Sequence, residues 1–362
     1  MKPLEKLHSL GQSIWYDNVE RGLIESGEMK KLIDNGVRGV TSNPTIFEKA
    51  IVGSNNYDAA IREAASQGKD VDALYDYLVF HDIQAVADLL KPVYDSSKGV
   101  DGYVSLEVSP KLSDDAEGTV REGLRLKEAL QRDNLMVKVP ATEAGIQAIR
   151  QLIAKGVNVN VTLIFGQKQY ASVLDAYLSG LEDRLAQGLP LNVHSVASFF
   201  VSRVDGLVDK KLANVSGGEA LQGKAAVANA KLAYSHFVEV TQSDRWKKLA
   251  AAGAHVQRPL WASTSTKNPS YPNLLYVDTL VGPDTVNTVP PVTLEHILAK
   301  EDYERTVDVN VDEAVAQINA IEAKGILLED VAAQLLSEGL ESFAKSFDSL
   351  MDALAKGLQA AK

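Results

Sequence analysis

Lys138 has the clearest capacity for covalent chemistry in this sequence. It lies near the C-terminal end of Asn134-Leu-Met-Val-Lys-Val-Pro140, a short, β-branched run bounded by proline, which predicts a buried strand. Strand alternation puts Lys138 on one face with Met136, and Val137 and Val139 on the other. If the valines meet covering helices, the lysine points inward, where an unpaired ammonium is costly. A lysine so placed tends to lose its proton, and a neutral amine can attack a carbonyl to form a Schiff base. A structural lysine paired with a buried carboxylate would suit the same position. This strand alone leaves both readings open.

Other predicted strands keep their polar residues on one parity. Ser105 and Glu107 alternate with Val104, Leu106 and Val108, and Asn158, Asn160 and Thr162 alternate with apolar residues. Asp17 shares a face with Trp15 and Ser13, and Thr41 shares one with Asn43. Any one of these residues could be a local hydrogen-bonding device. Four such strands beside a strand lysine are hard to explain as packing, and they point to the mouth of an active site. Competing signals are weak. Gly218-Glu-Ala-Leu-Gln-Gly223-Lys224 imitates a phosphate loop, but Ala225 stands where a magnesium-binding hydroxyl is needed and no strand precedes it. The histidines show no pair at metal-ligand spacing, so no metal site is expected.

The elements that must position these residues alternate along the chain. Strand-like runs fall at residues 13–17, 38–42, 102–108, 134–139, 157–163, 193–197, 255–262 and 274–278. Amphipathic helical segments lie between them, at 71–90, 116–131, 142–155, 167–187 and 223–241. Eight strand–helix units predict an α/β fold of the (β/α)8 TIM-barrel type rather than an open doubly wound sheet, since no Gly-x-Gly-x-x-Gly follows a strand. With no repeat or low-complexity linker, residues 1–362 read as a single barrel domain. Residues 292–362 form its C-terminal helical extension. There Leu336, Leu340, Phe343, Phe347, Leu350 and Leu354 make an apolar stripe, which predicts packing on the barrel or a partner subunit rather than a coiled coil.

Composition narrows the function classes. The 362 residues are 45% hydrophobic and 23% charged, as in a soluble globular protein. A net charge of -11 argues against nucleic acid or an anionic membrane as partner, so an anionic substrate would need a local basic pocket. The absence of cysteine excludes disulfides, zinc thiolates and a thiol nucleophile. The chain opens without a signal-peptide core and holds no apolar run near membrane-spanning length, so a cytoplasmic protein is expected.

Trp15-Tyr-Asp17, Thr41-Ser-Asn-Pro44, Ser105-Leu-Glu107, Val137-Lys138, Asn160-Val-Thr162 and Ser198-Phe-Phe-Val-Ser-Arg203, in this order, resemble the transaldolases. That resemblance implies a class I aldolase-type barrel whose Schiff-base lysine is on the fourth strand, where the count above places Lys138. It further implies Asp17 as the acid/base at the sugar C4 hydroxyl, and Glu107 with Thr162 as the pair activating a water. Asn43 and Asn160 would orient dihydroxyacetone hydroxyls, Thr41 and Ser198 would line the site, and Arg203 would grip a sugar phosphate. The implied partners are small sugar phosphates, with no cofactor, in a monomer or homodimer.

The seventh strand departs from the family pattern. Where an Ala-Ser-x-Arg is usual, Trp261-Ala-Ser-Thr-Ser-Thr-Lys267 is longer and ends in lysine, a point charge rather than a bidentate fork. Ser263, Ser265 and Lys267 are the candidate phosphate ligands of this loop. The long C-terminal region resembles a longer subgroup of the family, sometimes fused to a sugar-phosphate isomerase. The nearest rival is fructose-6-phosphate aldolase, which resembles a version with Gln at position 107 and Tyr at position 200; this chain has Glu107 and Phe200. A non-catalytic phosphosugar-binding barrel is the alternative outside enzymes.

Overall fold

A computed structural model describes residues 2–361. Its centre is a closed barrel of eight parallel strands in sequence order: β1 (Gln12–Tyr16), β2 (Gly39–Thr41), β3 (Tyr103–Glu107), β4 (Leu135–Pro140), β5 (Val159–Ile164), β6 (Ser195–Phe200), β7 (Gln257–Ala262) and β8 (Thr285–Val289). The barrel closes through β1 and β8, in register from Gln12 opposite Thr285 to Tyr16 opposite Val289. Strands covered on both faces carry apolar side chains outward to the helices, and β4 to β8 are buried at every position. Gly39 is required by this interior: a Cβ there would lie 2.4 Å from the Trp15 ring.

Two strands differ from expectation. The run 274–278 is not the eighth strand, because Leu275–Asp278 is one short helical turn and Thr285–Val289 completes the barrel. Periodicity cannot tell a short apolar run in a strand from one in a helix. The β-branched Thr285-Val-Asn-Thr-Val289 is the better strand former. The sixth strand begins and ends later than 193–197, which brings Ser198 and Phe200 onto it.

The N-terminal end of the barrel is plugged by an ionic cluster. Asp101 accepts from Arg38 Nε at 2.8 Å, Arg258 Nη1 at 3.0 Å, Ser13 Oγ at 2.7 Å and Trp15 Nε1 at 3.2 Å. Burial pushes the Asp101 carboxyl up, but the two guanidiniums and Ser13 outweigh it and leave the group below the usual carboxylate range. This end is structural, and the chemistry must occur at the other.

The C-terminal helix Leu328–Ala360 determines what that other end looks like. Leu328, Val331, Leu335, Gly339, Phe343, Leu350, Leu354 and Leu358 recur at helical spacing and are buried. The helix packs against helix Pro44–Val52, which leaves β2, and against helix Ser202–Leu212, which leaves β6. β2 and β6 are four strands apart in an eight-strand ring, so the helix crosses the C-terminal mouth. Leu336 and Leu340 are partly buried, and Phe347 is half-buried beside Tyr75. The final residue of the 292–362 extension lies outside the described residues.

Candidate active site

Lys138 enters the site because β4 turns its even-numbered residues inward. It is 4% exposed, and its ammonium donates to the Ser42 carbonyl at 3.0 Å and lies 3.3 Å from Glu107 Oε2. Glu107 faces it because β3 and β4 pair in that register. The Phe343 ring of the crossing helix covers it, with its centroid 5.9 Å from Nζ. Glu107 Oε2 and Thr162 Oγ1 are buried, and no aligned hydrogen-bond partner meets either among the described residues.

Asp17 follows β1, and its N–H still donates to the Val289 carbonyl of β8 at 2.9 Å. Its carboxylate accepts from Thr41 Oγ1 at 2.6 Å, and Thr41 is 2.6 Å from the Thr288 hydroxyl. With Thr41 donating to Asp17, Thr288 donates to Thr41. Burial raises the Asp17 carboxyl above its ordinary range, opposed by Lys138, Thr41 and Arg203. Burial also raises Glu107, opposed by Lys138 and reinforced by Asp17. The site therefore holds two carboxyls raised by burial, Glu107 beside the Lys138 amine and Asp17 within reach of its charge.

β5 is irregular where it supplies Thr162. Its register with β6 shifts between Val161 and Ile164, and Leu163 has a φ of 57°. A bulge of this kind re-aims side chains and is common beside active sites. Asn43 caps helix Pro44–Val52 by accepting from the Ile46 N–H at 3.0 Å, which fixes its side chain at the mouth.

The rim is basic. The Arg203 guanidinium lies 5.3 Å from the Phe200 ring centroid, and Lys267 donates to Ser265 Oγ at 2.9 Å. Burial pushes Arg203 below its usual range, against Glu338 and Asp17. Burial, then Arg203 and Lys49, pushes Lys267 down. Both charges acting on Lys267 are cations, so its surroundings are electropositive. Ser263 holds a left-handed backbone, φ 54°, and its hydroxyl is 2.9 Å from that of Ser202.

A cavity of ≈ 650 Å³ joins these parts, large enough for a sugar phosphate. Lys138, Asp17, Thr162, Thr41, Asn43, Ser198, Phe200, Arg203, Ser263, Ser265 and Lys267 line it. Asn160 does not. It is fully buried, donates to Ser105 Oγ at 3.0 Å and accepts from Ser198 Oγ at 2.7 Å, which places it behind Ser198. Glu107 also lies off this cavity and faces two smaller ones on the barrel flank. Sequence reasoning missed Lys49, Thr288 and Phe343, which line the main cavity. Lys49 lies on the helix that Asn43 caps, but its own spacing carries no signal of a site.

A family model described as "Transaldolase/Fructose-6-phosphate aldolase" matches residues 14–354. A transaldolase of Saccharopolyspora erythraea is 48% identical over 365 residues, covering 99% of this chain and 98% of its own. One from Trichodesmium erythraeum is 46% identical over 365 residues, covering 97% and 96%. One from Thermobifida fusca is 46% identical over 363 residues, covering 99% of each chain.

Proposed function

The chain belongs to the transaldolase/fructose-6-phosphate aldolase family, and on that premise we propose that it is a transaldolase of the non-oxidative pentose phosphate pathway. It moves a dihydroxyacetone unit from a ketose phosphate, sedoheptulose 7-phosphate or fructose 6-phosphate, to glyceraldehyde 3-phosphate or erythrose 4-phosphate. The observation that carries this reading is a buried lysine beside Glu107 and near Asp17, two carboxyls that burial has raised, beneath a basic rim of Arg203, Lys267 and Lys49.

In this reading the Lys138 amine adds to the ketose C2. The C2–O bond breaks, both amine protons leave with that oxygen as water, and a further proton makes the imine an electron sink. Glu107 and Thr162 hold the water concerned, which fits two buried oxygens that no aligned hydrogen-bond partner meets among the described residues. Asp17 takes the C4 hydroxyl proton as the C3–C4 bond breaks, and its electron pair passes into the imine to leave an enamine. The aldose departs. Enamine C3 then attacks the acceptor aldehyde, Asp17 returns the proton to the new hydroxyl, and water releases the product. Asn43 and Ser198 orient the hydroxyls, with Asn160 behind Ser198. No cofactor enters any step.

Glu107 and Phe200 favour transfer over release of free dihydroxyacetone. The deciding experiment incubates fructose 6-phosphate with and without erythrose 4-phosphate. Sedoheptulose 7-phosphate should form with the acceptor, and little glyceraldehyde 3-phosphate should appear without it. Equal turnover in both would make the enzyme an aldolase. We assign it to the cytoplasm as a monomer or homodimer; no helix among the described residues is long and apolar enough to cross a membrane.

The phosphate rim gives a second expected outcome. Lys267→Ala should weaken binding of phosphorylated sugars by roughly 1.5–3 kcal/mol, the scale of a hydrogen bond to a charged group. Slow conversion of unphosphorylated fructose should hardly change. Equal losses on both substrates would remove Lys267 from the phosphate site and leave it to Arg203, Lys49 and the loop serines.

A further inference from the structure

Glu107 is reached from a different side than the sugar. The sugar cavity exposes Lys138 and Thr162 but not Glu107, which instead lines two cavities on the flank of the barrel. The outer one, ≈ 580 Å³, opens between helix Val71–Ser96, helix Ala116–Leu130 and the C-terminal helix, past the exposed side chains of Asp72 and Lys111. The inner one is ≈ 10 Å³, at the lower limit of room for one water. Tyr75, Leu106, Glu107 and Phe347 belong to both, so the two adjoin. The inner cell also touches Ser42, whose carbonyl holds the Lys138 ammonium, and Asn43, which lines the sugar cavity as well.

The Tyr75 and Phe347 rings meet edge to face, 5.5 Å between centroids, where the outer cavity narrows to the inner. Lys111 braces this point, with Nζ 5.7 Å from the Phe347 centroid and 2.9 Å from Asp348 Oδ1 on the same helix. The chemistry supplies a reason for such a constriction. Each cycle expels one water when the imine forms and consumes one when it is hydrolysed, while sugar fills the mouth under Phe343. A transferase must also keep water from the enamine until the acceptor arrives. Water metered one molecule at a time, onto the carboxylate that uses it, meets both demands.

Resting on the reading of Lys138 as the Schiff-base lysine, we propose that the reaction's water enters and leaves through this flank port, with Phe347 against Tyr75 as its gate. The ligand of the port is water itself. Phe347 and Tyr75 are positioning residues that act through Glu107 and set the balance between transfer and hydrolysis.

Oxygen exchange tests it on the full-length enzyme. Fructose 6-phosphate is incubated in oxygen-18 water without acceptor, and label entering the C2 oxygen is followed by mass spectrometry. Met351→Trp, which fills the outer cavity, should slow exchange about tenfold, a modest change in barrier, at unchanged KM for the sugar. Phe347→Ala, which opens the gate, should speed exchange and release more free dihydroxyacetone per transfer. Exchange unchanged in both folded variants, or a fall in Met351→Trp matched by a rise in KM, would overturn the port. If Met351→Trp does not fold, Phe347→Ala decides alone: unchanged exchange and release refute the gate. Borohydride labelling of Lys138 in the unaltered enzyme separates the two ideas. Label with port-insensitive exchange condemns the port alone, and no label condemns the Schiff base beneath it.

Discussion

Lys138→Ala is expected to abolish transfer, with turnover falling by more than about four orders of magnitude, the scale seen when a covalent enzyme loses its nucleophile. No second amine can replace it. Lys49 and Lys267 line the same cavity, but at the basic rim proposed to bind phosphate. The barrel should still fold, because the Lys138 side chain joins no part of the Asp101 cluster that plugs the opposite end. Its loss does leave Glu107 without its cation in a buried place. Both carboxyls should then hold their protons to still higher pH. Circular dichroism and the coupled transfer assay check the two halves of this outcome. Residual activity within tenfold of the parent would show that the lysine is structural.

The second large effect concerns Glu107. Glu107→Gln keeps size and polarity but cannot take a proton, so imine formation should slow by ~10²–10⁴-fold, the usual contribution of a positioned acid/base. Sugar-phosphate affinity should change little, because Glu107 does not line the sugar cavity. The pH profile carries a further signature. Burial raises the Glu107 carboxyl above the ordinary range, so its basic form is lost at a higher pH than usual as the solution is acidified. The acid limb of imine formation in the parent should lie above the ordinary carboxylate range, and this limb should flatten in the variant. Rapid mixing with ketose, followed by borohydride quenching, measures the step directly. A change confined to KM would make Glu107 a binding residue.

Much of this site was legible because a strand writes its inward face into the sequence every second residue. Lys138, Glu107, Thr162 and Thr41 were found by parity, and the structure turns all four inward. Parity says that a side chain points in, not which cavity it meets. Hence Glu107 was read with Thr162 as holding a water, with no sign of the flank it faces, and Asn160 as a hydroxyl ligand, with no sign of its bonds to Ser105 and Ser198. Helical residues at the mouth leave no such mark. Phe343 sits in an apolar stripe whose period is explained by packing alone, and nothing local says that its helix crosses the barrel. Lys49 looks like any solvated helix lysine until Arg203 and Lys267 are seen beside it. The misplaced eighth strand also hid Thr288, which supports Asp17 through Thr41.

The central claim is a covalent bond between Lys138 and the ketose carbon. Borohydride added to the enzyme turning over fructose 6-phosphate should fix one reduced dihydroxyacetone unit, and peptide mapping by mass spectrometry should place it on Lys138. The same treatment of Lys138→Ala should label no peptide. A unit found on Lys49, Lys155 or Lys267, or no label while transfer proceeds, would contradict the account.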